Sequence, residues 1–247
     1  MAILLMTATI TPPSTAVRLS RTDPQARRQD YAEALNFYIE RLEAGVLEGI
    51  VFVDNSNSSV AQFEARTSSS SHREKIEFIS FYGLDYPPEH GRGYGEMRLV
   101  DHAMKNSRLI GAAGADAVIW KVTGRYIIKN IEKLLESTDG SEMYCHCRNH
   151  PMRWADMYFM GWTIGAYPKI LANSAESIKE SPAGVSSEIK FRDLVDAKAK
   201  AFKVRRRFPV APEIVGVKGW DSQKYQDKKI KSLMRAVLAR IAPWVWV

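Results

Sequence analysis

Two short stretches combine residue types suited to holding an anion. Trp120-Lys121-Val122-Thr123-Gly124-Arg125-Tyr126 ends an apolar run with two cations, a hydroxyl and a glycine, and Lys121 and Arg125 bracket a position where a diphosphate fits. A turn with surface charges would look similar, except that Lys121 lies inside the apolar run, where an unpaired charge is costly. Its ammonium therefore requires a buried carboxylate or a ligand phosphate. Gly91-Arg92-Gly93-Tyr94-Gly95-Glu96-Met97-Arg98 stands before a helical stretch. Glycines there leave backbone amides open to phosphate, and Arg98 would add a fork of donors one turn on; a plain tight turn is the competing reading. The dinucleotide fingerprint lacks its third glycine, and no Gly-Lys-Ser/Thr phosphate loop occurs. Cys145-His146-Cys147 with His150 has metal-ligand residue types but too tight a spacing for zinc. Strand alternation also points the two thiols one way and His146 the other. Packed, reduced thiols on a buried strand are expected.

Those residues must be positioned by the elements between them. Residues 3–9 read as a first strand, ended by Pro12 and Pro13. Asp30 is expected to cap a helix with Tyr31, Leu35, Tyr38, Ile39 and Leu42 on its apolar face. A buried strand over 49–55, a helix and soft loop over 62–75, a strand over 76–82 and a helix over 97–107 follow. Then come a strand over 117–122, a helix over 127–135 and a strand over 142–148. The alternation predicts the α/β class: one domain with a mostly parallel central sheet flanked by helices. In open sheets of this kind ligands bind beyond the carboxyl ends of the strands. Residues 7–11, Asp54-Asn55, 82–85 and 121–125 are then expected to line one rim.

Composition narrows the class further. Of 247 residues, 45% are hydrophobic and 26% charged, which excludes a collagen-like or mostly disordered chain. No run of about 18 apolar residues is present to span a bilayer. The apolar start, residues 1–10, lacks a basic flank and reads as a strand rather than a signal peptide, so a cytoplasmic protein is expected. The net charge of +7 is uneven: residues 198–247 hold 13 basic and 3 acidic side chains, and the remainder is net acidic. Such a tail attracts phosphate-rich partners. Residues 226–247 predict a basic amphipathic helix with Leu233, Val237, Leu238 and Ile241 on one face, Lys229, Lys231, Arg235 and Arg240 around it, and Trp244 and Trp246 near its end. It suits an anionic membrane surface, peripherally at the inner membrane; a last helix docked on the protein's own core is the alternative.

The order of strand, helix, strand ending in Asp54-Asn55, third strand, glycine segment, helix with an early Arg and fourth strand resembles a GT-A-type glycosyltransferase over residues 1–225. Lys121-x-Thr123-Gly124-Arg125-Tyr126 and Arg207-Phe-Pro209-x-Ala-Pro-x-Ile-x-Gly216-x-x-Gly219 are similar to segments of small bacterial transferases of capsule, O-antigen and exopolysaccharide synthesis. The family's metal-binding Asp-x-Asp is absent; Lys-Val-Thr-Gly-Arg takes its place. The resemblance implies a nucleotide-sugar donor and a glycan acceptor, lipid-linked or free. It also implies that Lys121 and Arg125 stabilise the departing diphosphate, so that no divalent metal cofactor is expected. Asp156 would be the base that takes the acceptor's proton, with Asp139, Glu142 and Glu188 as weaker choices. Thr7, Thr9, Asp54, Asn55, Gly93, Gly95, Arg98, Thr123 and Gly124 would bind the donor. Trp154, Tyr158 and Trp162 would stack on the acceptor, although aromatics so spaced also build cores.

Two other classes compete. A nucleic-acid-binding protein would use the basic tail, but the first 197 residues are net acidic and carry no RNP, helix-turn-helix or zinc-finger signature, so nucleic acid is not an expected partner. A nucleotidyltransferase would need strand-end carboxylates for Mg²⁺, and Asp54 is the only obvious one.

Overall fold

Short runs rich in Ile, Val, Leu and Phe become parallel strands rather than helices, and all but the edge run over 76–80 are buried on both faces. They are β1 (Ala2–Ala8), β2 (Gly49–Asp54), β3 (Ile76–Ser80) and β4 (Val118–Thr123), paired in the order β3-β2-β1-β4. The computed structural model describes residues 2–14, 19–68, 70–150, 152–180 and 184–217. A small antiparallel pair, β5 (Ile127–Ile128) and β9 (Ile214–Val215), sits apart. The main sheet continues from β4 through β7 (Trp154–Thr163), β6 (Met143–Arg148) and β8 (Val204–Arg205), giving seven strands of which only β7 is reversed. The α/β, mostly parallel reading of the sequence holds.

Helices cover both faces. On one lie α1 (Pro24–Glu43), α2 (Ala61–Thr67) and α5 (Ile131–Glu136), whose Tyr31, Leu35, Tyr38, Phe63 and Leu134 pack on Leu4, Phe52, Trp120 and Phe159. On the other lie α3 (Gly91–Asn106), α4 (Arg108–Gly111), α6 (Tyr167–Ile170), α7 (Ala175–Ile178) and α8 (Ser187–Lys198). Their Met97, Val100, Ile178 and Phe191 pack on Leu5, Val51, Ile119 and Met160. Along β4, Ile119, Lys121 and Thr123 alternate with Trp120 and Val122. Lys121 thereby falls on the face that α3 covers.

Several sequence expectations change. The first helix starts at Pro24, not after Asp30: Asp23 caps it, accepting from Gln25 N at 3.0 Å and Ala26 N at 3.2 Å, and proline suits the first helical position. The stretch 127–135 divides into β5 and α5, because Ile127 and Ile128 pair with Val215 and Ile214, far along the chain. The aromatic segment around Asp156 is the long strand β7. The glycine segment is already helix. Gly93 and Gly95 lie in the first turns of α3, where a Cβ would fall 2.3 Å from Ser187 Cβ and 2.0 Å from the Tyr86 hydroxyl respectively. They let α8 and Tyr86 pack against α3 and form no phosphate loop. The helix start is covered as well: the Glu180 side chain lies against Gly91, and Glu180 N donates to His90 O at 2.8 Å. Among the described residues no helix is long and apolar enough to cross a membrane. The helix expected over 226–247 lies outside the described residues.

Gly93→Ala is expected to lower the unfolding free energy by about 1–3 kcal/mol in urea titration, as overpacking does. An unchanged urea midpoint would contradict this packing role.

Candidate functional site

At the carboxyl edge of the parallel strands, Lys121 finds the carboxylate its position demands. The side chain is wholly buried and its ammonium pairs with Glu96 from α3. It also donates to Met157 O at 2.6 Å and Thr123 Oγ1 at 3.3 Å. The carbonyl is free for it because β7 is irregular here: its pairing with β4 ends at Phe159 and its register with β6 slips between Tyr144 and His146. Glu96 Oε1 takes the ammonium, Thr7 Oγ1 at 2.9 Å and Thr123 Oγ1 at 3.1 Å. One carboxylate oxygen thus ties the ends of β1 and β4 to α3. Burial pulls the Lys121 pKa below the ordinary lysine value, and Glu96 opposes that shift. The only signal for Glu96 in the sequence is the requirement of Lys121 for a partner.

Other cations at this rim divide into two groups. Arg21 is held by Asp30, with Nη2 to Oδ1 at 2.8 Å; Arg98 by Asp85 at 3.0 Å; and Arg148 by Asp156 at 2.9 Å. Arg27 and Arg125 differ. Arg27 is 3% exposed and donates to Thr9 O at 2.7 Å, Arg21 O at 3.0 Å and the Tyr31 hydroxyl at 3.0 Å. Arg125 is 9% exposed and donates to Val217 O at 3.1 Å and the Tyr126 hydroxyl at 3.3 Å. Neither pairs with a carboxylate among the described residues, and a guanidinium has five N–H donors to satisfy. Tyr31 lies between them: its hydroxyl meets Arg27 and its ring stands against Gly124. Gly124 is required there, since a Cβ would lie 2.8 Å from Thr7 O. Two enclosed guanidinium groups with no ion-pair partner among the described residues, Arg125 feeling only the more distant charge of Glu96, suit an anion at a strand-end rim. Arg27 had no local signal, because its two backbone acceptors, Thr9 O and Arg21 O, come from separate parts of the chain before α1.

The remaining donor candidates gather at the same rim with different tasks. Asp54 is wholly buried, and its oxygens accept from Ile10 N at 2.7 Å, Ser56 N at 3.0 Å and Ser58 N at 3.0 Å. It folds the turn after β2 and has no oxygen facing outward for a ligand. Thr9 Oγ1 donates to Asn55 Oδ1 at 2.7 Å, which closes the β1 and β2 ends together. Arg98 lies farther along α3, beside Asp85 and over the Tyr86 ring at 5.8 Å.

Asp156 also reaches this edge, at the start of β7, but it is enclosed. Its Oδ2 accepts from Arg148 Nε at 3.0 Å and from the Tyr158 hydroxyl at 3.2 Å. Burial pushes its pKa above the usual carboxylate value and Arg148 opposes this. The arrangement suits an anchor for Arg148 and Tyr158 better than a base meeting an incoming acceptor. Trp154 and Tyr158 are half-buried beside it, with the Arg148 guanidinium 5.8 Å from the Trp154 ring. Trp162 is fully buried in the core against Tyr167, so it offers no stacking face to an acceptor. Cys145 and Cys147 share one face, sulfurs 3.8 Å apart, while His146 stacks on Phe208 on the other. The Cys147 thiol and burial hold Cys145 well above the ordinary thiol range. Among the described residues no three His, Cys, Asp or Glu side chains converge as metal ligands.

The sequence matches no protein-family model and no curated protein. Among solved structures, the galactosyltransferase LgtC, in complex with donor and acceptor sugar analogs, is similar at 12% identity over 83% of this chain and 73% of its own, with a TM-score of 0.49. 4-Diphosphocytidyl-2C-methyl-D-erythritol synthase is similar at 12% identity over 96% and 97% of the two chains, TM-score 0.47. The nucleoside-diphosphate-sugar pyrophosphorylase from Vibrio cholerae RC9 is similar at 8% identity over 87% and 94%, TM-score 0.44. At this distance the chemistry has to be argued from the residues of the rim.

Removing either partner of the buried pair should have unequal cost. Glu96→Ala strands the ammonium of Lys121 and is expected to cost about 3–5 kcal/mol. Lys121→Met leaves a carboxylate that still reaches water, Glu96 being 21% exposed, and should cost clearly less. Urea midpoints of the two variants check the order.

Proposed function

We propose that this protein is a nucleotide-sugar-dependent glycosyltransferase of the GT-A type, acting on a cell-surface glycan, lipid-linked or free, from the cytoplasmic side of the membrane. The observation that supports it is the pair Arg125 and Arg27, enclosed at the strand-end rim without a carboxylate among the described residues. As the bond from the sugar to the diphosphate breaks, negative charge grows on the leaving oxygen. Arg125 is fixed in advance by Val217 O and the Tyr126 hydroxyl, so it can meet that charge without reorganising. Lys121 was expected to share this task, but its ammonium is spent on Glu96; its part is to hold that carboxylate in place. Two guanidinium groups supply the charge that a divalent ion supplies elsewhere, so the reaction proceeds without one. The competing nucleotidyltransferase reading has less support, because Asp54, the strand-end carboxylate it would use, is engaged by three backbone amides.

A thermal-shift panel of UDP-, GDP-, CMP- and dTDP-sugars beside single-stranded RNA should show a shift with one nucleotide sugar and none with RNA. Arg125→Leu is expected to weaken binding of that donor at least about tenfold, the loss of one charge-assisted contact. Turnover should persist in EDTA; strict dependence on added Mn²⁺ would contradict the metal-free mechanism.

A further inference from the structure

We propose that Glu96 is the catalytic base, a step that rests on the transferase reading above. Its two oxygens are unlike. Oε1 receives Lys121, Thr7 and Thr123, whereas Oε2 has no partner among the described residues, and the side chain is 21% exposed at the rim. Asp54 at this edge is taken up by backbone amides, and Asp156, 11% exposed, is taken by Arg148 and Tyr158. A base must present an oxygen to a hydroxyl arriving from solvent, and must hold it still. Glu96 does both: three donors on one oxygen fix the carboxylate and leave the second one bare. Its anchor, Lys121, is wholly buried and acts through Glu96, so it is a positioning residue.

The step balances as a single displacement. The acceptor hydroxyl oxygen forms a bond to the anomeric carbon, and the bond from that carbon to the diphosphate oxygen breaks. Its electron pair leaves with the nucleoside diphosphate, and the hydroxyl proton passes to Glu96 Oε2. The product carries inverted anomeric configuration, and the proton returns to solvent after release.

Glu96→Gln separates this role from a structural one. The amide keeps a carbonyl oxygen for Lys121 and the two hydroxyls but loses both the proton acceptor and the charge that neutralises the ammonium, so its fold and donor Kd are measured beside its turnover. With the nucleotide sugar found by thermal shift, kcat should fall about 100-fold or more, while the donor Kd from calorimetry stays within about twofold. Glu96→Asp, which keeps a carboxylate set back by one methylene, should turn over faster than the Gln variant. It carries the test alone if the Gln variant does not fold, with kcat then falling about tenfold at constant donor Kd. A Gln variant with wild-type kcat, Gln and Asp variants of equal turnover, or an Asp variant with unchanged kcat each overturns the assignment to Glu96. A wild-type protein that binds none of the nucleotide sugars overturns the transferase reading together with it.

Discussion

A lysine ammonium buried at the end of a β-strand has to be neutralised inside the protein, and the geometry of the rim follows from how Glu96 does it. The ion pair brings the first turns of α3 onto the sheet edge. The same carboxylate oxygen takes hydroxyls from Thr7 on β1 and Thr123 on β4, which pins two adjacent strand ends to one point. The irregularity of β7 completes the arrangement by turning the Met157 carbonyl toward the ammonium. Small residues make the approach possible: with side chains at Gly93 and Gly124, α3 could not sit against α8, nor the turn after β4 against β1.

Once Lys121 is accounted for, charge at the rim becomes informative. Arg21, Arg98 and Arg148 each have a carboxylate, and such pairs hold loops and strands in place. Arg27 and Arg125 have only neutral oxygens among the described residues. Enclosing a cation without a counter-ion costs stability unless a ligand brings the charge. Whether a basic residue near a strand end is structural or functional is therefore decided by its partner, and not by its position in the sequence.

The sheet was largely legible. Runs such as Ile50 to Val53 are too apolar and too short to be anything but buried strands, and Lys121 within such a run announced a buried countercharge. What escaped reading depended on distant partners. The strand β5 exists because of Val215 and Ile214, and β7 holds together by pairing on both sides, so neither has a strong local pattern. The glycines at 93 and 95 resembled a phosphate loop, yet they answer to Ser187 and Tyr86, which no local window contains. Asp54 was expected at the rim and Asp156 as the base, and both lie at the strand-end edge. Their hydrogen bonds, to three amides and to Arg148 respectively, turn them inward. Glu96 and Arg27 were missed for the converse reason: their importance lies in which of their atoms and charges remain unspent.

The central claim is that the unspent positive charge of Arg125 and Arg27 receives a diphosphate. A crystal structure of the protein soaked with the nucleoside diphosphate of its donor tests this most directly. The account predicts phosphate oxygens within hydrogen-bonding distance of the Arg125 guanidinium, with Lys121 still on Glu96. A diphosphate bound elsewhere, with Arg125 touching no phosphate oxygen, would contradict it.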